Sequence, residues 1–473
     1  MSVRIAASVV AVACTTAAFG AIAPSAAHAA TPPAVTATGT YRPISPARIA
    51  DSFSGLGGHK TYVSRNNTVT YTVAGKSGIP AKGVSSVVVQ LTAFDQHGNG
   101  AFVAYPAGAK IPAAVSFAYG GRSAQEGRVT VPVSSTGQIS VRGAGAYQAH
   151  LRIDVVGWFA SASSTAAAGS LYLPSDLTLQ DDTRITRDRL KPGDSLEEDF
   201  QIGFGSNDPS FVAPKVMAMD LNLTAINPSG KGGLIAWSGS GAKPWIPSLQ
   251  FSNKDSVSSS VIVPLTLVSA QTQDGMELGT YKFAVTAYGG STDVALSVGG
   301  YYTQGTDAFG AVYSPSTPQL AVNSITGKNI TKGRLGGDLA RTANLPSSAY
   351  GQNTIAVNMT TAAVAPTANT SVAQTTNLLA IKDTQIITTL AGATRSGALT
   401  AQLDGGINST APQVGFYNAS GSIDIEAWTY GRFNFNFSAM DSAAKRMTPQ
   451  KALRHMLDQR PTVRMTHKII RAN

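Results

Sequence analysis

The sequence has few residues that can crosslink, coordinate a soft metal or ionise. Its 473 residues include one cysteine and six histidines, and only 13% are charged. The single cysteine is Cys14, within a segment that we expect to be removed, so we expect neither a disulfide nor a thiolate metal site. No apolar run after residue 30 reaches the roughly 18 residues of a membrane span. These features exclude thiol catalysis and a transmembrane domain.

The first thirty residues have the pattern of a secretory signal. Arg4 precedes an Ala/Val/Ile-rich stretch from Ile5 to Ile22, and "PSAAHAA" then supplies small residues for cleavage after Ala29 or Ala30. We therefore predict a signal peptide over 1–30 and a short N-terminal extension over 31–40. The expected location is secreted or associated with the cell wall.

A gapless repeat of 132 positions dominates the rest of the chain. The run Leu91 to Ala93 returns as Leu223 to Ala225. The further pairs at this spacing are Ala104 and Ala236, Pro112 and Pro244, Ser116 and Ser248, and Pro132 and Pro264. A fainter third copy is marked by Tyr41, Tyr172 and Tyr313 at its opening and by Gly157, Gly300 and Gly431 at its close. The pattern predicts duplication of a domain-sized unit.

Each copy is rich in strand patterns. In "VSSVVVQLTAF", Val87, Val89 and Leu91 alternate with a second set of residues, as expected of a strand with one buried face. Turn clusters such as "DQHGNG" and "NPSGKGG" separate these runs. We therefore predict an all-β protein of three tandem antiparallel β-sandwich or barrel-like domains, followed by a short basic helix. The predicted boundaries are domain 1 over 41–160, a linker over 161–170, domain 2 over 171–302, a linker over 303–310, a divergent domain 3 over 311–437 and a tail over 438–473.

The tail carries much of the net charge of +10. From Met440 onward there are eight Lys and Arg residues against two Asp residues. Thr448 and Pro449 form a helix start, Ala452, Leu453, Met456 and Leu457 fall on one stripe, and Pro461 ends the helix. The basic, partly apolar "TVRMTHKIIRAN" follows. A solvated basic helix is one interpretation, and docking on an anionic surface or in a partner's groove is the other. The candidate contacts are Lys445, Arg446, Lys451, Arg454, Arg460, Arg464, Lys468 and Arg471.

The strands resemble a repeated β-domain of secreted and cell-surface proteins of actinobacteria, with the pattern "DTR", "NVT" and a closing "DVVGYF". Domain 1 carries "VVVQLTA", "GAFVAYPAG", "IPAAVSF" and "IDVVGWF". Domain 2 carries "DDTR", "DLNLTA", "GGLIAW", "IPSLQF" and "VGGYY". The resemblance is clear over about 41–302 and loose over 311–433, and domains 1 and 3 have Asp51-Ser52 and Asn323 in place of the opening element. It implies a β-rich, non-enzymatic module and assigns no function by itself.

Catalytic and metal patterns are weak. The histidines lie in no nucleophile or zinc motif, so we predict no catalytic residues, metal or cofactor. The carboxylates Asp181, Asp182, Asp194, Glu197, Glu198 and Asp199 are interleaved with basic residues and are interpreted as a solvated connection between strands. Asp154 is expected to face solvent or to pair with Arg152. Trp245 is a ligand-contact candidate, and Trp237, which aligns with Tyr105, is a weaker one at the core or rim.

The favoured function is a secreted, non-catalytic binding or scaffold protein at or outside the cell envelope, and an adaptor in a secreted multi-protein assembly is a subtype of this hypothesis. Its expected partners are secreted or cell-wall proteins, or wall or extracellular polysaccharide. Export and the lack of a recognisable nucleic-acid-binding fold argue against nucleic acid. The alternative is a carbohydrate-active enzyme that uses carboxylates of domain 2 or 3, with Asp182 and Glu198 as the test positions.

Overall fold

A computed structural model describes residues 37–121, 123–205, 212–273, 276–305, 310–351, 353–375, 385–403, 412–435 and 462–472. The described chain is almost entirely β-strand, and all pairings between its named strands are antiparallel. The predicted all-β class is confirmed. The predicted helix between Thr448 and Pro461 lies outside the described residues.

Domain 1 consists of two four-stranded sheets. Its strands are β1 Tyr41–Asp51, β2 Thr68–Thr72, β3 Val84–Phe94, β4 Gly100–Pro106, β5 Phe117–Tyr119, β6 Gln125–Pro132, β7 Gln138–Gly145 and β8 His150–Ala160. One sheet has the order β1-β8-β3-β6 and the other the order β2-β7-β4-β5. Side chains of both sheets, among them Val89, Ile153, Phe102 and Val141, form one buried core.

Domain 2 repeats this plan with longer strands. Its elements are β9 Leu171–Asp182, α1 Thr183–Thr186, β10 Ser195–Gly205, β11 Lys215–Ser229, β12 Gly232–Trp237, β13 Leu249–Phe251, β14 Val257–Pro264, β15 Thr266–Gln273, β16 Met276–Tyr288 and β17 Ser291–Gln304. The inner sheet has the order β14-β11-β17-β9, and the outer sheet includes β13-β12-β16-β10. Leu223, Val298, Phe200 and Phe283 belong to the core between them.

Domain 3 has the same two-sheet plan. Its elements are β18 Ala311–Asn323, β19 Leu335–Gly336, β20 Leu339–Asn344, a 3-10 helix Ser347–Ala349, β21 Thr354–Val364, β22 Thr370–Thr375, β23 Gln385–Thr389, β24 Arg395–Gln402, β25 Gln413–Asn418 and β26 Ser422–Phe435. The inner order is β18-β26-β21-β24, and the outer order is β20-β25-β22-β23. The inner sheets of domains 2 and 3 meet where Ala311 pairs with Tyr172.

One further strand, β27 Thr462–Ile470, follows domain 3 in the chain but belongs to domain 2. It pairs with β10 along nine residues, from Ser195 opposite Ile470 to Gly203 opposite Thr462. Val463 and Ile469 pack against the core of domain 2. The segment predicted only as a basic extension of the tail is therefore an edge strand of the middle domain.

The three domains pack around a common aromatic cluster. Tyr41 contacts Tyr302 with ring centroids 4.3 Å apart, Tyr172 contacts Phe433 at 4.4 Å, and Tyr313 contacts Phe159 at 4.4 Å. These contacts run from domain 1 to domain 2, from 2 to 3 and from 3 to 1. The domains thus close a ring, and the tyrosines that open the three repeats meet at its centre.

The glycines that close the repeats have a steric role in this cluster. The Tyr41 hydroxyl donates to the carbonyl of Val156 at 3.1 Å, and the Tyr172 hydroxyl donates to that of Gly299 at 2.9 Å. A β-carbon on the next residue, Gly157 or Gly300, would collide with the tyrosine hydroxyl. Only glycine leaves room for the ring at these positions.

Candidate functional site

The ligand-contact candidates lie on the segment that follows β12. Trp237 ends β12, and its indole Nε1 donates to Thr286 Oγ1 at 3.1 Å. The chain then turns through Gly239 and Gly241, both with positive φ. Trp245 follows with 82% of its surface exposed, and Lys243 Nζ lies 5.2 Å from its ring centroid. A large aromatic face is therefore presented to solvent, whereas Trp237 is held half-buried below it.

A cavity of about 260 Å³ lies beside this segment, between domains 1 and 2. It is lined by Pro43, Ile44, Ser45 and Pro46 of domain 1 and by Trp237, Ser238, Ser240, Ala242, Pro244 and Pro264 of domain 2. Proline rings, the Trp237 indole and serine hydroxyls thus line the same depression. Trp245 directly follows the lining residue Pro244 in the chain but does not itself line the cavity.

A larger polar cavity, of about 400 Å³, lies between domains 2 and 3. Its lining includes the cations Arg184 and Lys254, the amides Asn227 and Asn369 and several Ser and Thr hydroxyls. No acidic residue is among the described residues that line it. Sequence reasoning missed this cavity, because its walls come from segments of two domains that only the ring packing brings together.

The structure gives the basic tail candidates different positions. Lys445, Arg446, Lys451, Arg454 and Arg460 lie outside the described residues, as does the side chain of Arg464. Lys468 Nζ lies 3.0 Å from Glu197 Oε2, and this contact raises the lysine pKa. Arg471 Nη1 lies 2.7 Å from Asp194 Oδ2. Lys468 and Arg471 therefore pair with acidic groups of their own chain while their side chains stay 59% and 48% exposed, and their contact with an external anion stays a prediction.

The interpretation of the acidic stretch as solvated was wrong for several of its members. Asp182 caps α1 and pairs with Arg184 at 2.5 Å. Burial raises the pKa of Asp182, but the hydrogen bonds from Arg184 outweigh burial and hold it below its usual range. Asp154 is also buried and pairs with Arg48 at 2.8 Å instead of with Arg152. Strand pairing, which charge patterning does not specify, places these carboxylates inside the molecule.

Glu198 is the most deeply buried carboxylate of the stretch, with no exposed surface. It lies on β10, and in the β10–β27 pair it is opposite His467. Asp181, at the end of β9, brings its Oδ2 to 3.3 Å from His467 Nδ1. Burial raises the pKa of Glu198 to about 10, and the neighbouring Asp181 carboxylate adds to the shift. Histidine spacing along the sequence could not show this cluster, because its three members lie on three separate strands.

Among the helices in the described ranges, none has the length and apolar character needed to cross a membrane. No model of a known protein family matches this chain, and no curated protein sequence matches it either. The resemblance to the actinobacterial β-domain therefore stays a prediction.

Proposed function

We propose that this protein is an exported, non-catalytic binding and scaffold protein whose body presents Trp245 to an extracellular or cell-wall polysaccharide. The observation that carries the proposal is the 82% exposure of Trp245 next to a cavity lined by rings and hydroxyls. A large aromatic side chain with this exposure is a strong departure from the usual burial of tryptophan.

Sugar recognition explains the combination of groups at this surface. The axial C–H faces of a pyranose ring pack on an aromatic face, and its hydroxyls require hydrogen-bonding groups close by. Trp245 offers the face, and Ser238 and Ser240 offer hydroxyls within the neighbouring cavity. Lys243, near the Trp245 ring, adds a charge that favours acidic sugars or phosphate-bearing wall polymers.

The packing of the domains supports a scaffold role. Inter-domain contacts include the aromatic cluster and several buried hydrogen bonds, such as that from Asn358 Nδ2 to Thr130 Oγ1 at 3.0 Å. The cavity next to Trp245 has walls from two domains, so its shape depends on this packing. A body of this kind holds a binding surface at a fixed orientation, as an adaptor in a secreted assembly requires.

The enzyme alternative has weaker support from the test positions. The Asp182 carboxylate caps α1 and accepts hydrogen bonds from Arg184, and Glu198 has no exposed surface. In a glycoside hydrolase one carboxyl group must reach the glycosidic oxygen, and a second must reach the anomeric carbon or the attacking water. Glu198 in its observed position cannot contact a polymer, so we favour binding over hydrolysis.

The test is binding of the chain over 31–473 to purified wall polysaccharides, measured by co-sedimentation and by titration with soluble fragments while tryptophan fluorescence is recorded. We expect saturable binding that Trp245→Ala weakens by roughly tenfold or more, because stacking of one ring contributes about 1–2 kcal/mol. The matched control is Tyr147→Ala, which removes another exposed aromatic residue, in domain 1.

Equal binding by the wild type and Trp245→Ala would remove Trp245 from the proposal. Release of sugar fragments during the titration would favour the enzyme alternative. Stoichiometric protein partners in native mass spectrometry of culture supernatant, with no polysaccharide binding, would assign the scaffold role to protein partners alone.

A further inference from the structure

Three ligand-type side chains converge inside domain 2, and one of them comes from β27. Asp181 is on β9 of the inner sheet, Glu198 is on β10 of the outer sheet, and His467 is on β27. One potential ligand atom from each residue lies within 4.8 Å of those of the other two. The cluster therefore connects both sheets of the domain with the strand that arrives from beyond domain 3.

Three of the four carboxylate oxygens in this cluster are buried without a hydrogen bond from an N–H or O–H group, whereas Asp181 Oδ1 accepts one from Asp182 N. Neither oxygen of Glu198, nor Asp181 Oδ2, has a hydrogen-bond partner among the described residues, although all three atoms are buried. Buried polar atoms are nearly always hydrogen-bonded, and a buried unpaired carboxylate is among the most costly exceptions. Two carboxyl groups side by side are stabilised either by a proton that they share or by a bound cation, and the nearby imidazole of His467 favours the cation.

The geometry fits a metal ion. Zinc bound to histidine nitrogen and carboxylate oxygen at about 2.0–2.2 Å in tetrahedral geometry holds its ligand atoms roughly 3.3 Å apart. His467 Nδ1 and Asp181 Oδ2 are 3.3 Å apart. The ligand atoms of all three residues lie within 4.8 Å of one another, so a small movement of the Glu198 side chain would bring its oxygen to the same 3.3 Å spacing.

The surroundings of His467 also match those of a metal ligand. Its second ring nitrogen, Nε2, lies 3.9 Å from Asp188 Oδ2. Histidines that bind metals commonly direct their other ring nitrogen to a carboxylate, which fixes the ring orientation. Asp188 is itself 3.5 Å from Arg471. Both sides of the imidazole therefore face carboxylates, one inside the domain and one near its surface.

We propose that Asp181, Glu198 and His467 bind one divalent transition metal ion, with zinc as the best match, and that the ion fixes β27 to domain 2. Metal binding displaces the Glu198 proton, and the two carboxylates and the neutral imidazole then carry a charge of −2, which the ion neutralises. The bound ion would satisfy the oxygens that otherwise lack partners. Because the ligands come from three strands, loss of the ion should loosen β27 first.

The experiment uses an untagged chain over 31–473, since a polyhistidine tag binds zinc itself. After dialysis against a chelator, the protein is equilibrated with zinc, and bound metal is measured by elemental analysis and by calorimetric titration. Hydrogen exchange of residues 462–470 is recorded with and without zinc. We expect one zinc per chain and slower exchange of this segment when zinc is bound.

The variants are Glu198→Gln, His467→Gln and Asp188→Asn, with His97→Gln as a matched control at an exposed loop histidine. We expect Glu198→Gln and His467→Gln to abolish stoichiometric binding, Asp188→Asn to weaken it by about 10–100-fold and His97→Gln to leave it unchanged. His467 lies on an edge strand, so His467→Gln tests the site even if Glu198→Gln does not fold. Binding well below one zinc per chain, or equal binding by His467→Gln and wild type, would overturn the proposal.

Discussion

Arg128 of domain 1 and Asp220 of domain 2 form an ion pair that is almost completely closed from solvent, with side-chain exposures of 2% and 6%. Thr400 of domain 3 donates to Asp220 Oδ2 at 2.9 Å and accepts from Arg128 Nη2 at 3.4 Å. One residue from each domain therefore contributes to a single buried polar contact. This contact joins β6, β11 and β24, one strand from each domain, and links the whole ring.

Arg128→Ala is expected to destabilise the protein by about 3–5 kcal/mol, because it leaves the Asp220 carboxylate buried without its partner. The double replacement Arg128→Met with Asp220→Leu should recover most of this loss, since both charges are then removed. Chemical unfolding followed by circular dichroism measures the effect. Arg65→Ala, at an exposed arginine, is the control and should change stability by less than about 0.5 kcal/mol. A double variant less stable than Arg128→Ala would contradict this account.

Gly157→Ala should destabilise the protein by about 1–3 kcal/mol, since the added methyl group meets the Tyr41 ring in the aromatic cluster. Gly351→Ala is the matched control, because the nearest atoms to its added methyl group are at 3.7 and 3.8 Å. Thermal unfolding of both variants compares them directly. Equal melting temperatures would mean that the closing glycines of the repeat have no steric role.

Glu126 predicts a pH dependence of stability. It is buried between domains 1 and 2, where Gln250 N donates to its Oε2 at 2.8 Å. Burial raises the pKa of Glu126 to about 7, although the hydrogen bonds from Gln250 lower it. The pKa of Glu126 is higher in the folded protein than its ordinary value of 4.5, so protonated Glu126 stabilises the folded state. This stabilisation is complete below pH 4.5 and is lost as the pH rises through 7.

Glu126→Gln removes this titration. The stability of the wild type relative to Glu126→Gln should therefore fall by up to about 3 kcal/mol between pH 4.5 and pH 8. Taking the difference between the two proteins at each pH cancels the titration of all other groups. Unfolding curves at several pH values provide the measurement, and a difference that is constant with pH would count against the raised pKa.

Removal of residues 462–473 should lower the melting temperature by several degrees, because it exposes the edge of β10 and the core contacts of Val463 and Ile469. A synthetic peptide of residues 462–473 should bind the truncated chain and restore stability, as in other cases of strand addition. The same peptide with Val463 and Ile469 both changed to Asp is the control. Restoration by both peptides would show that side-chain burial does not direct the docking.

Much of the fold could be predicted from the sequence, because duplicated positions and strand alternation are local signals. The alternation of β3 correctly assigns Val87, Val89 and Leu91 to the domain core. It wrongly predicts one buried face, since Val88 and Gln90 are also buried where another domain packs on the sheet. No local pattern specifies which repeat covers which face, so the ring of domains could not be predicted.

The sites were harder to predict. The exposed Trp245 was selected from its place beside a turn-rich segment, and the structure gives it high exposure. Glu198 was interpreted as part of a solvated charged connection, and His467 as one of the histidines that belong to no metal or catalytic motif. The sequence "TVRMTHKII" does contain the β-branched residues of a strand. Its partner β10 precedes domain 3 in the sequence, whereas β27 follows it. Charge composition alone carries no information on a pairing between segments so far apart.

The position of β27 has a consequence for biogenesis. Its partner strand β10 in domain 2 is synthesised well before it, and the whole of domain 3 is made in between. Until then the middle domain has an open edge, which other chains or chaperones can recognise. Polypeptides that end before Thr462 would keep that edge, and its unpaired backbone groups would be open to pairing with a strand of another chain.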